Sequence, residues 1–276
     1  MRSTIISGVV ASLAATTSAT GVLLPLYVYP SAVAGDGAAN WQPAFDAISA
    51  HSNVPWLVVI DPANGPGSGG PGNGDQNYIA GVSRLNGYGN VRTVGYVRTN
   101  YGNQPMQDVQ NDITAWRNWA TYAAADVSVK GIFFDESSTN SYSYLSQAIG
   151  FARSTFPSPI TTICNFGASA SANFYGICDV VIAFESCLNC AGSPQYQSQT
   201  TLSANIPRGF QSQAAIIVHD FSGTAYDGTP ADANLLSSYE STISRNGVGW
   251  SYFCSAGYNT ITAGPATVGL NAQDLA

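Results

Sequence analysis

Two apolar runs of the chain end in acidic residues, and these residues are the best suited to do chemistry. Residues 131–136 read Gly-Ile-Phe-Phe-Asp-Glu, and residues 180–185 read Val-Val-Ile-Ala-Phe-Glu. Only 9% of the chain is charged, and an isolated carboxylate is costly to bury. Carboxylates that face each other across a cleft hydrolyse glycosidic bonds. The pattern therefore predicts Asp135, Glu136 and Glu185 as catalytic acids.

The elements that would hold these acids alternate between strand-like and helix-like runs. The strand-like runs are residues 22–30, 56–61, 91–99, 129–136, 160–166, 180–185, 214–221 and 250–254. Eight β-then-α units predict an α/β fold, a single (β/α)8 TIM-type barrel. A doubly wound open sheet is the alternative, but the Gly-x-Gly-x-x-Gly turn that usually follows its first strand is absent. The Gly/Ala/Thr-rich residues 256–276 are expected either to cap the barrel or to be loose.

The carboxyl ends of the strands form the active-site face of such a barrel, so the side chains there are candidates for substrate binding. Aromatic faces stack on the C–H side of sugars, while amide, carboxylate and guanidinium groups bond to hydroxyls. The substrate-binding candidates are Tyr27, Tyr29, Asp61, Arg98, Asn100, Asn165, Asp220, Trp250 and Tyr252.

Several of these positions also have a structural interpretation. A strand-end acid can cap the next helix, and Asp61 precedes a proline in a turn-rich loop. Tyr27 and Tyr29 share one strand face by the period of two, so core packing is an alternative to sugar stacking. His219 and Asp220 are adjacent, so only one of them should point inward, and a structural role is expected for the histidine.

The composition excludes some partners and indicates a compartment. The net charge of −7 argues against nucleic acid, because phosphate binding needs basic stripes. Residues 1–20 are predicted to be a secretory signal peptide, with residues 21–276 as the barrel domain. No later run is long enough to span a membrane, so we expect a secreted, extracellular protein with no membrane partner.

Five cysteines lie in the second half of the chain. In an oxidising compartment we expect two disulfides and one leftover thiol. Cys187 could pair with Cys190 and Cys164 with Cys178, although the sequence does not fix the connectivity. A zinc site at Cys187-Leu-Asn-Cys190 is the alternative, but there is no second Cys-x-x-Cys and no nearby histidine.

Four segments make the chain resemble the spherulin-4-like family, glycoside hydrolase family 135. They are Pro25-Leu-Tyr-Val-Tyr-Pro30, Val59-Ile-Asp-Pro-Ala-Asn-Gly-Pro-Gly67, Gly95-Tyr-Val-Arg-Thr-Asn-Tyr-Gly102 and Gly131-Ile-Phe-Phe-Asp-Glu136. The resemblance implies a secreted, cell-wall-associated fungal hydrolase that cuts galactosaminogalactan within its α-1,4-linked N-acetylgalactosamine stretches. It also assigns the family's adjacent Asp-Glu to Asp135 and Glu136, and its later glutamate to Glu185.

By analogy with enzymes of related layout, we expect Asp135 to be the nucleophile and Glu185 the general acid and then base, with retention of configuration. Glu136 would orient a partner or bind substrate. This chemistry requires no metal or organic cofactor, the expected partner is a polysaccharide, and a monomer is the default. Two other functions stay open: a carbohydrate-binding or spore-wall protein without turnover, and a hydrolase of another glycan.

Overall fold

Eight strands and seven α-helices follow one another along the residues that the structure describes. The structure is a computed structural model, and it describes residues 19–257 and 267–276. The strands are β1 (Gly21–Leu26), β2 (Trp56–Ile60), β3 (Val91–Arg98), β4 (Gly131–Asp135), β5 (Thr161–Asn165), β6 (Val180–Cys187), β7 (Ala214–His219) and β8 (Trp250–Phe253). The helices are α1 (Gln42–Ala50), α2 (Gln76–Asn86), α3 (Met106–Asn118), α4 (Tyr142–Thr155), α5 (Gln199–Asn205), α6 (Ala233–Arg245) and α7 (Val268–Leu275).

The strands form a closed parallel barrel in chain order, with β8 paired to β1. Strand side chains alternate between two cores because successive residues point to opposite faces. One core fills the barrel: Leu23, Leu57, Val59, Val94, Tyr96, Phe133, Ile163, Val180, Ile182, Ala215 and Ile217. The second core lies between the strands and the helices. The predicted (β/α)8 barrel is confirmed, and its carboxyl-end mouth is the surface that gathers the strand-end residues.

The connection from β5 to β6 has no α-helix. A short 3-10 helix, Ala172–Gly176, occupies this place, and a disulfide joins Cys164 on β5 to Cys178 just before β6. A second disulfide joins Cys187 to Cys190 at the end of β6. Both predicted pairs are therefore present, and Cys254 is the buried free thiol.

The end of the chain carries the helix that completes the helical layer. The prediction that residues 256–276 cap the barrel or are loose falls partly on residues 258–266, which lie outside the described residues, while α7 packs between α6 and α1. The Asn271 side chain accepts from the Phe253 N–H at 2.8 Å and donates to the Phe253 carbonyl at 2.8 Å. This buried amide pair fixes α7 against the end of β8.

Two expectations concern the chain's ends and its relation to membranes. Most of the predicted signal peptide, residues 1–18, lies outside the described residues. Within the described ranges, no helix has the length and apolar character needed to cross a bilayer.

Candidate active site

Asp135 lies at the mouth of the barrel among hydrogen-bond donors. It ends β4, two residues after the inward-facing Phe133, so strand alternation points it toward the barrel axis. Its Oδ2 accepts from the Tyr96 hydroxyl at 2.7 Å, and its Oδ1 accepts from the Asn165 side-chain amide at 2.7 Å. Burial raises the pKa of Asp135, and these hydrogen bonds counteract part of that rise because they favour the charged form.

Asn165 connects the two acidic strands. Its Nδ2 donates to Asp135 at 2.7 Å and to Oε2 of Glu185 at 2.6 Å, so these two carboxylate oxygens are at most about 5.3 Å apart. The side-chain oxygen of Asn165, Oδ1, accepts from the Gly167 N–H at 3.0 Å. This bond orients the side-chain amide so that its nitrogen faces the acids. Two acids from non-adjacent strands therefore meet across one buried amide.

A bulge in β6 gives Glu185 this orientation. Ile182 faces the barrel interior, and plain alternation from it would turn Glu185 toward the helices. The pairing with β7 instead slips between Ile182 and Phe184, so that Glu185 aligns with the inward-facing Ile217. An extra residue in one strand redirects the side chains that follow it, and here it brings Glu185 to Asn165.

Glu136 follows β4 in a left-handed conformation, with φ of 50°. Its Oε2 pairs with Nε of Arg98 at 2.9 Å. Thr99 donates its hydroxyl to the backbone carbonyls of Asp135 and Glu136. The two adjacent acids thus have different surroundings: Asp135 is bonded to neutral donors and Glu136 to a cation.

Asp61 faces the same mouth from β2. Its Oδ1 accepts from the Gly65 N–H at 2.8 Å, which is the turn role that the sequence suggested as one alternative. Burial raises its pKa to about 6, partly offset by the Gly65 hydrogen bond, and the charge of Asp135 adds to the rise. Asp61 therefore stabilises a turn and also interacts electrostatically with Asp135.

A cleft of about 390 Å³ opens beside Glu185. Its walls come from the segment after β5, from the end of β6, from the segment between β6 and α5, and from α5. They include Gly167, Gln195, Gln197 and Thr200. Amide and hydroxyl side chains of this kind can donate to and accept from sugar hydroxyls. Across the described parts of the chain, no group of three or more His, Cys, Asp or Glu side chains is arranged to hold a metal ion.

Two substrate-binding candidates on β8 are not at this mouth. Trp250 begins β8 rather than ending it, and it pairs with Gly21 at the start of β1, so it lies at the opposite end of the barrel. Tyr252 is only 1% exposed and is enclosed in the barrel wall. The prediction of Trp250 and Tyr252 as sugar contacts is therefore wrong, because Trp250 lies at the start of β8 and Tyr252 packs into the core between the strands and the helices.

The expectation that Tyr27 and Tyr29 share a strand face is also wrong, because β1 ends at Leu26. Tyr27 stays at the mouth, with its ring edge-on to Tyr96 at 5.8 Å. Tyr29 follows the end of β1 by three residues, donates its hydroxyl to Asp75 at 2.7 Å and accepts from Asn77 at 2.8 Å.

At the end of β7 the inward position belongs to His219 and not to Asp220. His219 aligns with the inward pattern of Ile217, while Asp220 follows the strand with φ of 51°. The two side chains contact each other, with 2.6 Å between Nδ1 of His219 and Oδ2 of Asp220. Asn100 also lies past its strand in a left-handed conformation, and its carbonyl accepts from the Asn103 side chain at 3.0 Å.

The sequence reasoning missed Tyr96 and Tyr101. Tyr96 is two residues before Arg98 on the same strand face, so the alternation that selected Arg98 could have found it. Tyr101 lies in the Gly95–Gly102 segment that resembles the family, but no pattern showed that its ring would be exposed.

Comparison with known proteins gives the family and the fold. The family model described as spherulation-specific family 4 matches residues 21–266. Spherulin-4 of Physarum polycephalum is 29% identical over 254 residues, which cover 88% of this chain and 67% of that protein.

Solved structures share the barrel. The crystal structure of Aspergillus clavatus Sph3 in complex with GalNAc superposes with a TM-score of 0.75 at 23% identity, covering 94% of this chain and 98% of that one. A Rhizomucor miehei chitinase gives a TM-score of 0.53 at 12% identity, covering 93% and 99%. A Bacteroides thetaiotaomicron chitinase gives 0.54 at 10% identity, covering 93% and 96%. These likenesses show a barrel shared with glycoside hydrolases, and the matched family model shows that the chain belongs to spherulation-specific family 4.

Proposed function

We propose that this chain is a secreted glycoside hydrolase that cleaves galactosaminogalactan within its α-1,4-linked N-acetylgalactosamine regions. The observation that carries the proposal is the meeting of Asp135 and Glu185 across the Asn165 amide at the barrel mouth. The family supports the substrate, since the similar Sph3 structure contains GalNAc. The two disulfides are in keeping with an extracellular site of action.

Asp135 is the proposed nucleophile. The Tyr96 hydroxyl and the Asn165 amide both donate to it, and such donors favour a carboxylate anion over a carboxylic acid. In the first step one Asp135 oxygen attacks the anomeric carbon while the bond to the leaving sugar breaks. Glu185 gives its proton to the departing oxygen and then takes one from the water that hydrolyses the glycosyl-enzyme.

The short distance between the Asp135 and Glu185 carboxylates supports a mechanism that retains the anomeric configuration. Retaining glycosidases hold their two carboxyl groups about 5–5.5 Å apart, whereas inverting ones leave about 6.5–9.5 Å for a water molecule. The shared Asn165 donor keeps one oxygen of each acid within about 5.3 Å of the other. Proton NMR of the first product made from the polymer should therefore show the α-anomer before mutarotation.

The test of the reaction uses Asp135→Asn and Glu185→Gln with reducing-end release from purified galactosaminogalactan. Each change is expected to lower kcat by about 10²–10⁴-fold, because a positioned acid or base contributes that much. Asp46→Asn is the matched control, since it neutralises an exposed acid on the α1 surface. The melting curves of all three should match wild type closely enough to exclude unfolding.

The outcome also separates the other two functions. Wild-type protein that binds the polymer without shortening it would favour a carbohydrate-binding or wall protein. Wild-type protein that leaves this polymer intact but shortens another polysaccharide would keep the two-acid reaction and replace the substrate. Full turnover in both acid variants would remove the assignment of Asp135 and Glu185.

A further inference from the structure

The exposed aromatic side chains of the described chain all lie on one face. They are Tyr29, Tyr101, Tyr142 and Tyr226, which are 44%, 59%, 39% and 45% exposed. Each follows a strand: Tyr29 comes after β1, Tyr101 after β3, Tyr142 after β4 and Tyr226 after β7. Segments that follow strands lie at the carboxyl-end mouth of the barrel, so these tyrosines lie on the same face of the barrel as the acids.

On the opposite face of the barrel, the aromatic residues are partly buried. Tyr88, Tyr122, Phe156 and Phe210 lie in segments that precede strands, and all four are partly buried against the helical core. Burial of aromatic area is strongly favourable, so exposure of four rings on one face only is a cost that the other face avoids. Exposed apolar surface concentrated in this way marks a binding surface.

Tyr101 has the conformation least expected of a bulky residue. Its φ of 56° lies in the left-handed region, which is a genuine outlier for a large side chain. Its N–H donates to the Glu136 carbonyl at 2.5 Å, so the end of β4 holds it in place. The Tyr101 backbone is therefore bound to Glu136 while most of the ring surface stays open to solvent.

Two more of the rings each pack against a second aromatic ring. Tyr29 packs edge-on against Tyr78 with centroids 5.6 Å apart, and Tyr142 packs against Phe174 at 5.4 Å. An edge-to-face contact covers at most one face of either ring, so each of these tyrosines keeps at least one face that its partner ring does not cover. A braced ring with a free face loses little conformational freedom when a ligand stacks on it.

The positions around the barrel define the length of the surface. Strands β3 and β7 are four apart in the closed order of eight, so Tyr101 and Tyr226 follow opposite sides of the barrel. Eight strands about 4.8 Å apart and tilted by about 36° enclose a ring roughly 15 Å across. That span exceeds one sugar ring, and the acids on β4 and β6 lie on one side of it.

We propose that Tyr29, Tyr101, Tyr142 and Tyr226 form an aromatic rim that binds a polysaccharide chain on both sides of the acid pair. This proposal rests on the proposed function, since the rim is part of the same barrel mouth. The rim recognises the apolar C–H faces of successive sugars. Polar contacts near the acids would select the sugar that reacts, while the rim holds the chain that leads to it.

The experiment measures polymer binding apart from turnover. All rim variants are made in Glu185→Gln protein, and the dissociation constant comes from retardation in native gels that contain purified galactosaminogalactan. Tyr101→Asn removes the ring but keeps a residue that tolerates left-handed φ, and Tyr101→Phe keeps the ring. Tyr226→Ala removes the opposite ring. Leu270→Ala is the control, since it truncates an exposed apolar side chain of α7 that is not part of the rim.

Loss of either ring is expected to raise the dissociation constant about 2–10-fold, the effect of one aromatic contact. Tyr101→Phe and Leu270→Ala should bind like the parent. Parent-like binding by both Tyr101→Asn and Tyr226→Ala, or no retardation of the parent, would overturn the rim. Ring-dependent retardation together with a wild-type protein that never shortens the polymer would uphold the rim and reject the hydrolase. Cleavage of the polymer by wild type, together with binding that does not depend on the rings, would uphold the hydrolase and reject the rim.

Discussion

At the scale of single residues, the charge state of Asp135 depends on its donors. Burial raises the pKa of this carboxyl, the charge of Glu136 adds to the rise, and the Tyr96 hydroxyl is the largest of the influences that lower it. The Tyr96 ring stacks on Phe133 at 5.9 Å, so the hydroxyl is held in position by the barrel interior. The Tyr96 hydrogen bond thus favours the ionised form of the proposed nucleophile.

Tyr96→Phe should move the acidic limb of the pH–activity profile to higher pH. The change removes a donor that lowers the pKa of Asp135, so a larger fraction of Asp135 is protonated, and therefore inactive, at low pH. We expect kcat/KM near pH 5 to fall roughly tenfold, since a hydrogen bond to a charged group contributes about 1.5–3 kcal/mol. Steady-state kinetics across the acidic range measure the shift.

Tyr78→Phe is the matched control for this prediction. Its hydroxyl is also buried near the mouth, but it donates to the Asp61 backbone carbonyl at 3.4 Å and to no carboxylate. Its acidic limb should stay where wild type has it. An equal displacement in both variants would mean that loss of any buried hydroxyl, and not the bond to Asp135, causes the effect.

At the scale of elements, backbone strain is confined to the segments that follow strands. Every described non-glycine residue with a left-handed φ lies in such a segment: Ala38, Asn64, Asn73, Asn100, Tyr101, Glu136, Ser198 and Asp220. Strained conformations cost of order 1–3 kcal/mol each and cluster at functional sites. The barrel provides the stability that lets its mouth adopt them.

The sequence predicted the order of elements well and their last residues less well. Eight strand-like runs correctly indicated the barrel, because apolar strand patterns repeat regularly between helices. Trp250 was misplaced because β8 begins there, and Tyr29 because β1 ends three residues before it. The inward turn of Glu185 depends on a bulge that no alternation pattern contains. Such irregularities arise from pairing with a neighbouring strand, so a single strand's sequence does not reveal them.

The two disulfides should differ in their contribution to stability. Cys164 and Cys178 are 14 residues apart, whereas Cys187 and Cys190 are three apart. A cross-link that closes a loop of about 15 residues stabilises by about 3 kcal/mol, and a shorter loop gives less. The double variant Cys164→Ala/Cys178→Ala should therefore lower the free energy of unfolding more than Cys187→Ala/Cys190→Ala. Urea unfolding measures both, and the reverse order would contradict the loop argument.

At the scale of the whole molecule, the helical layer carries a buried acid that the proposed reaction does not use. Glu240 on α6 has no exposed surface, and its Oε2 accepts from the Ser251 hydroxyl of β8 at 2.6 Å. Its other oxygen has no hydrogen-bond partner. Burial raises its pKa to about 8, the Ser251 bond lowers it in part, and the charge of Asp274 on α7 adds to the rise. The contact between the barrel wall and its helices therefore depends on a protonated carboxyl.

Glu240→Gln should change how stability responds to pH. In wild type the folded state keeps a proton that the unfolded state releases above its ordinary pKa of 4.5, so the free energy of unfolding falls as pH rises from about 4.5 to about 8 and then levels. Glutamine has nearly the same shape and carries no titrating proton, so its variant should lack this decline. We expect the two proteins to differ by on the order of 3 kcal/mol more at pH 8 than at pH 4.5. Urea unfolding at several pH values measures the difference, and parallel curves for the two proteins would show that Glu240 folds in its charged form.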